Sequence, residues 1–505
     1  MTNLTTLKEL LCDAAERFGD EPFIRELDGK AFRDTSFAAL RANCDAVGAW
    51  IETQAPDGVH AAVLGATGSE YLTAWFGIQM CGSVTVPLDN ANSAEKIADE
   101  INRSDSTLVF LDDRHAGELD TLKTLCPQVT QFVHLLRPAE GMLYLGDILA
   151  EYAGRQPERS PSPEALSAIL FTSGTTGRSK GVMLRHSNFI DNATCEPDPG
   201  RHGWKRLTVL PIHHVFCFTC DILVSMWYGR TVCVNDSLMH ITRNLKKFQP
   251  DDTTFVPMIS ASILRRMEQL AEKNPDRIAI GKSVFGENFK VIYSGGAYLS
   301  PEISAGFKQF GIDISQGYGM TECAPRICTG VPNCQYPESV GRVVPGCEVR
   351  IVDGEIRVKS PSVMMGYYHD PAETAAALTA DGFLCTGDLG YEKDGWLYIT
   401  GRKKNLIILA NGENVSPEEI ENQFAFFRPI KEIVVYESQQ TITAEIYPDP
   451  DYVSDNIRAE IQTKIDAVND TFPPAKRIVR IVYRDTEFEK TASKKIIRSS
   501  VIGKI

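Results

Sequence analysis

The sequence predicts an α/β fold class with an added α+β part: a large N-terminal domain of parallel-rich sheets with helices, followed by a small C-terminal α+β domain. Three observations predict it. Helix-like and strand-like patterns alternate from about residue 30 to residue 160. The apolar runs between the helices are short and lack an alternating polar face, as strands buried on both faces require. After Gly401-Arg402 the pattern restarts on a smaller scale. A chain of 505 residues has room for at least two domains at roughly 100–200 residues each.

Taken in order, Phe37, Leu40, Cys44, Val47 and Ile51 recur at three- and four-residue spacing and mark one face of a helix. Ala61-Ala-Val-Leu-Gly and Thr107-Leu-Val-Phe-Leu read as short buried strands with a helix near Glu70–Cys81 between them, the pattern of parallel βαβ units. Strand-like segments continue at Arg206–Pro211, Thr253–Pro257 and Lys290–Tyr293. Glu348–Lys359 reads as an antiparallel hairpin turning at Asp353-Gly354. The large part is expected to span 1–400 and the small one 401–505. In the small part Ser416-Pro-Glu-Glu419 has the form of a capping box with proline at the first helical position. Lys431–Tyr436 and Thr441–Tyr447 form a strand pair, Asp455–Val468 a helix and Arg477–Arg484 a further strand.

Hydrophobic residues make up 43% and charged residues 23% of the chain, which excludes a disordered or fibrous protein as a whole. The net charge of −14 argues against nucleic acid or an anionic membrane as the general partner. The most hydrophobic stretch, Val215 to Tyr228, is interrupted by Asp221 and is too short to span a bilayer. The first residues show no secretory pattern. Thirteen cysteines, an odd number, suggest reduced thiols, and a cytoplasmic location is expected. His213, His214, Cys217 and Cys220 form an H-x-x-C-x-x-C pattern, but no second ligand pair of the usual spacing accompanies it, so a buried apolar segment is expected in place of zinc.

The densest local signal is Ile169-Leu-Phe-Thr-Ser-Gly-Thr-Thr-Gly-Arg-Ser-Lys-Gly181. Glycines let a backbone approach an anion, hydroxyls and amides donate to its oxygens, and Lys180 adds charge, so the segment reads as a phosphate cradle. It is not a P-loop, because the G-x4-G-K-[ST] order is absent.

With this loop the sequence resembles the adenylate-forming enzymes, the family of acyl-CoA synthetases, firefly luciferase and nonribosomal-peptide adenylation domains. Further segments fall in the family's order: Leu210-Pro-Ile-His-His-Val-Phe, Tyr293-Ser-Gly-Gly-Ala, Gln316-Gly-Tyr-Gly-Met-Thr-Glu322, Thr386-Gly-Asp-Leu389, Gly401-Arg-Lys-Lys-Asn, Gly412-Glu-Asn-Val-Ser-Pro-Glu-Glu-Ile-Glu421 and Lys490-Thr-Ala-Ser-Lys-Lys-Ile-Ile-Arg498. The wording is most similar to long-chain fatty acyl-CoA ligases.

The resemblance implies two steps. A carboxylate attacks the α-phosphate of ATP with loss of pyrophosphate, and a thiol then attacks the acyl-adenylate. ATP, Mg²⁺ and CoA are the implied cofactors. Thr172, Ser173, Gly174, Thr175, Thr176, Gly177 and Lys180 resemble the phosphate loop. Thr321 matches the α-phosphate donor and Glu322 the Mg²⁺ ligand, a carboxylate suited to a hard cation. Gly295, Gly296 and Ala297 would run along the purine edge, within a site that also takes Gln316, Gly317 and Gly319. Tyr318 would stack on the base, Asp388 would accept from the ribose hydroxyls, and Arg402 would assist there. Alignment places the catalytic lysine at Lys495, with Lys490 and Lys494 as alternatives. The last 35 residues carry a local charge of +6, which suits closure over phosphate. Lys404 matches the hinge, and Gly412, Glu413 and Asn414 the thiol tunnel. His214 occupies the gate position beside the acyl pocket.

Two departures bear on the substrate. Cys385 stands where a basic residue is frequent, and no acid lies between Pro211 and Phe218, where amino-acid-activating relatives keep an aspartate. A plain acid is therefore expected, with Asp221 near enough to keep an amino acid open, and the resemblance implies a medium- or long-chain one. The alternatives are an acyl- or aryl-AMP ligase loading the phosphopantetheine of an acyl carrier protein, and a nucleotide-binding regulator without catalysis.

Overall fold

A computed structural model describes residues 3–172, 179–196, 200–331, 335–409, 413–490 and 496–502. Among these residues the chain builds a nine-strand and an eight-strand sheet, a four-strand antiparallel sheet, and a three-strand sheet near the C-terminus. The predicted alternation is present. His60–Val63 pairs in parallel with Val84–Pro87 and Leu108–Leu111 at the centre of the eight-strand sheet, and the buried helix Ser69–Met80 crosses between the first two. All four residues of Val84–Pro87 and of Leu108–Leu111 are buried, which is why these strands show no polar face in sequence.

The nine-strand sheet carries the run that positions the site. Lys205–Thr208, Asp252–Phe255, Val291–Ser294 and Asp313–Gly319 lie side by side in parallel. Their register aligns Asp252 with Val291 and Asp313 at one end, and Phe255 with Ser294 and Gln316 at the other. The glycine-rich segments Gly295-Gly296-Ala297 and Gly317–Gly319 therefore emerge together at the carboxyl ends of neighbouring strands. That is where open α/β sheets bind ligands.

Glu348–Val352 and Glu355–Lys359 form the expected hairpin. Asp353 and Gly354 both have positive φ, 51° and 78°, the conformation of a two-residue turn whose twist matches its strands. The Val215–Tyr228 stretch is helical, with a π-helical first part, Phe216–Leu223, in which Cys217 and Cys220 are buried and Cys217 lies 3.3 Å from the Thr208 hydroxyl. Ile407, Val415, Ile420, Phe424, Ile442, Ile446 and Ile461 share a hydrophobic cluster of their own, separate from the core of the large sheets.

The structure corrects the reading of Ser416. The short helix Pro417–Glu421 begins where expected, but the Ser416 side chain makes no capping bond. Its hydroxyl points back to the strand Trp396–Arg402, where it lies 2.7 Å from the Thr400 carbonyl, and 3.0 Å from a Glu418 carboxylate oxygen. The second oxygen of Glu418 accepts from the Asn405 amide. Proline at the first helical position already removes one of the N–H groups that a cap serves, leaving the hydroxyl to a tertiary partner.

Candidate active site

Gln316 to Glu322 form the centre of the site. Gly319 is required by contact: a Cβ there would lie 1.9 Å from the Pro325 carbonyl oxygen. Gln316 donates its amide Nε2 to the Ser339 carbonyl at 3.0 Å, while its Oε1 is buried with no partner among the described residues. An orphaned buried acceptor costs roughly 1–3 kcal/mol, and a donor on a bound base would remove that cost. Beside Gln316 opens a cavity of about 190 Å³ bounded by Ala305, Lys308, Gly330, Tyr336 and Trp396. Gly295 passes under the Phe216 ring, 2.9 Å from where its Cβ would stand, and Gly296 and Ala297 beside it are exposed.

Tyr318, Asp388 and Arg402, far apart in sequence, are brought together. The Tyr318 hydroxyl donates to Asp388 Oδ2 at 2.7 Å, and Arg402 Nε lies 2.6 Å from Asp388 Oδ1. Asp388 and Arg402 face each other across paired strands. Thr386 fixes the turn by donating to the Ile356 carbonyl and accepting from the Asp388 amide. Burial pushes the Tyr318 phenol well above its usual range, with Asp388 adding to the effect, so it remains a donor.

The second group surrounds Glu322. Thr321 and Glu322 are half-buried, and the Tyr367 hydroxyl donates to Glu322 Oε1 at 2.9 Å. Met364 N–H donates to the Glu322 carbonyl at 2.9 Å. Tyr367 belongs to a two-residue strand that pairs with Lys180–Arg185, the strand leaving the phosphate loop. Lys180 forms an ion pair with Glu373, and its Nζ lies 4.9 Å from the centroid of the Tyr367 ring. Thr172 stands opposite Lys180 at the mouth of the loop. Ser173, Gly174, Thr175, Thr176, Gly177, Gly412, Lys494 and Lys495 lie outside the described residues. A half-buried carboxylate with one oxygen fixed by a hydroxyl fits a hard divalent cation.

His214 is exposed, with its ring 4.4 Å from that of His213. Burial, with His214 alongside, pushes His213 down to about 3, so it is neutral at physiological pH. Lys404, Glu413 and Asn414 are exposed, and Glu413 accepts at its carbonyl from Leu409 N–H at 3.0 Å, closing the turn between strands. Asp221 is fully buried. Thr208 donates to it at 2.9 Å, Thr254 at 2.5 Å, and Arg206 lies 3.3 Å away. Burial pushes its carboxyl up to about 6 against these partners.

Tyr367 and Glu373 escape a reading by sequence because neither carries a recognisable signal. Their partners are 45 and 193 residues away, and only the pairing of strands brings them together.

The described residues thus gather Tyr318, Asp388 and Arg402 into one group and Glu322, Tyr367 and Lys180 into another, an arrangement that suits a nucleotide-dependent ligase. The model for AMP-binding enzymes matches residues 11–368 and that for the AMP-binding enzyme C-terminal domain matches 404–504; the chain belongs to the AMP-binding enzyme family. It is an AMP-forming ligase of the acyl-CoA synthetase type, a class that works with ATP, Mg²⁺ and CoA. Among its relatives, the long-chain-fatty-acid–CoA ligase FadD15 of Mycobacterium bovis is 28% identical over 443 residues, covering 77% of this chain and 73% of the relative. The 3-[(3aS,4S,7aS)-7a-methyl-1,5-dioxo-octahydro-1H-inden-4-yl]propanoyl:CoA ligase of Rhodococcus jostii is 30% identical over 460 residues, covering 85% of each chain. The crystal structure of the anthranilate CoA ligase AuaEII in complex with anthranoyl-AMP shares the fold at a TM-score of 0.87, with 18% identity, over 100% of this chain and 98% of that one.

Proposed function

We propose that the protein activates a medium- or long-chain fatty acid as its acyl-adenylate and transfers the acyl group to the thiol of CoA. The enclosure of Asp221 carries the choice of acid. It is the sole acid in the apolar stretch from Ile212 to Tyr228, and both its oxygens are engaged by Thr208, Thr254 and Arg206. No carboxylate of this stretch is left to hold a substrate ammonium, which favours a plain acid over an amino acid. The relatives named for long-chain fatty acids support the same choice.

In this reading Gly295, Gly296 and Ala297 border the purine, Gln316 accepts from its amino group, and Tyr318 lies against its face. Asp388 and Arg402 take the ribose. Thr321 donates to the α-phosphate, and Glu322 would hold Mg²⁺, which when bound would supply positive charge against the phosphate oxygens as pyrophosphate leaves. Thr172 and Lys180 flank the loop assigned to the outer phosphates. Lys495 would bridge carboxylate and α-phosphate. The two domains, 1–400 and 401–505, would turn about Lys404 between half-reactions, bringing Gly412, Glu413 and Asn414 to the thiol. His214 would gate the acid.

The test is product analysis with ATP, Mg²⁺ and acids from acetate to palmitate plus benzoates, with CoA or with a phosphopantetheinylated carrier protein. AMP and a fatty acyl-CoA are expected. AMP with an aryl thioester would overturn the fatty acid, and thioester on the carrier alone would overturn CoA.

A further inference from the structure

Four side chains from three separate segments make an unbroken row beside the phosphate-loop root. The Glu322 carboxylate accepts from the Tyr367 hydroxyl at 2.9 Å, the Lys180 ammonium lies 4.9 Å from the Tyr367 ring centroid, and Glu373 pairs with that ammonium. Tyr367 is 8% exposed and packs in the main core, so its ring has little freedom. The backbone around it is fixed too: Tyr367 pairs with Val182, Tyr367 N–H donates to the Thr374 hydroxyl at 2.8 Å, and Met364 N–H holds the Glu322 carbonyl. One residue therefore touches, through different atoms, both the carboxylate assigned to Mg²⁺ and the lysine assigned to phosphate.

We propose that Tyr367 is a positioning residue for nucleotide and metal: its hydroxyl aims the Glu322 carboxylate, and its ring face sets the height of Lys180. This rests on the reading of Glu322 as the Mg²⁺ ligand and of Lys180 as a phosphate contact. The physical grounds are general. A carboxylate has two oxygens, and a donor fixed on one leaves the other presented in a single orientation. An ammonium over an aromatic face is attracted by the ring's quadrupole, which holds it at that face. A tyrosine that merely filled core volume would need some partner for its hydroxyl, but that partner would not have to be the site carboxylate.

Two variants separate the hydroxyl from the ring. Tyr367→Phe removes only the hydroxyl, and Tyr367→Leu removes both. Calorimetric binding is measured on the full chain without acid or CoA, first with ATP in EDTA and then with Mg²⁺ added at fixed ATP, with Glu322→Gln as reference and ligand-free thermal unfolding alongside. For Tyr367→Phe, the half-saturating Mg²⁺ concentration is expected to rise about tenfold, the lower edge of the cost of losing a partner behind a metal ligand. Binding of ATP in EDTA and the unfolding midpoint should not change. Tyr367→Leu should also weaken binding of ATP in EDTA severalfold. If Tyr367→Phe takes up Mg²⁺ like the wild type while Glu322→Gln loses the response, the inference fails alone. If Glu322→Gln keeps the full Mg²⁺ response, the underlying reading of Glu322 fails. A lowered unfolding midpoint with unchanged ligand binding would assign Tyr367 to packing and overturn the proposal.

Discussion

Two clusters of charge in the molecule differ in how far the protein encloses them. In the first, built on Lys205–Thr208 and Asp252–Phe255, Arg206 donates to Asp252 at 2.6 and 2.9 Å, Arg230 adds a contact at 3.3 Å, and Asp221 joins the group through Thr208 and Thr254. Arg230, Asp221 and Asp252 are fully buried. Burial works against ionisation of Asp252, yet Arg206 and then Arg230 hold its carboxyl below the usual range. In the second, Glu322, Lys180 and Arg402 are only half-buried, and among the described residues the Glu322 carboxylate is hydrogen-bonded by Tyr367 alone and the Lys180 ammonium by Glu373 alone. The first cluster is wholly enclosed and serves the fold, although Arg230 Nε and Nη2 have no hydrogen-bond partner among the described residues, whereas the second is open to solvent and keeps capacity for a ligand. Charge, and even a raised carboxyl such as that of Asp221, does not by itself mark chemistry.

The contrast is broken most easily at its two centres. Asp252→Ala should cost about 3–5 kcal/mol of stability, because Arg230 is left buried without its counter-charge and Arg206 loses the nearer of its two carboxylates. Urea unfolding measures this, and the fraction that stays folded should keep the wild-type KM for ATP. Glu322→Gln should do the reverse, lowering the rate of AMP formation about 100-fold or more, as loss of one fixed electrostatic contact to a transition state does, with an unfolding midpoint like the wild type. An Asp252→Ala protein of normal stability, or a Glu322→Gln protein of normal rate, would erase the distinction.

A finer test uses the raised carboxyl of Asp221. Its folded-state value of about 6 lies above the ordinary 3.8, so between those pH values the folded protein binds more proton than the unfolded chain, and stability falls as pH rises. Relative to Asp221→Asn, the wild type should lose about 2 kcal/mol between pH 4 and pH 6.5, most of the two or so units at 1.36 kcal/mol each. Denaturant titrations of both proteins at the two pH values measure the difference. Equal slopes would mean that Asp221 is not held as the buried geometry implies.

The smallest expected effect lies between the two parts of the chain. Ser416→Ala removes the bond to the Thr400 carbonyl and should cost about 1 kcal/mol, far less than Asp252→Ala. Because Gly401 leaves no room beside Ser416, with a Cβ only 1.8 Å from its hydroxyl oxygen, Gly401→Ala should cost clearly more than Ser416→Ala in the same unfolding measurement.

The sequence makes legible whatever is continuous along the chain. The strands around Ala61 and Thr107 and the Asp353-Gly354 turn are each read within a dozen residues, because spacing and turn chemistry act locally, whereas Gln316 to Glu322 and Thr386 to Leu389 are legible only through the family resemblance. The pairing of Tyr318 with Asp388 follows from sequence only through the family resemblance. The closure of Asp221 by Thr254, the row through Tyr367, and the diversion of Ser416 from its own helix to Thr400 depend on strand register between distant segments. No local pattern encodes them. Ser416 is the sharpest case, since its local signal is a cap and its tertiary partner overrides it.

The most direct test of the account is acid-dependent exchange of labelled pyrophosphate into ATP without CoA, since exchange requires only reversible formation of the acyl-adenylate. The account predicts exchange that needs Mg²⁺, appears with medium- or long-chain fatty acids, and collapses in Glu322→Gln but persists in the folded fraction of Asp252→Ala. Exchange that no acid elicits, or that Glu322→Gln retains in full, would contradict it.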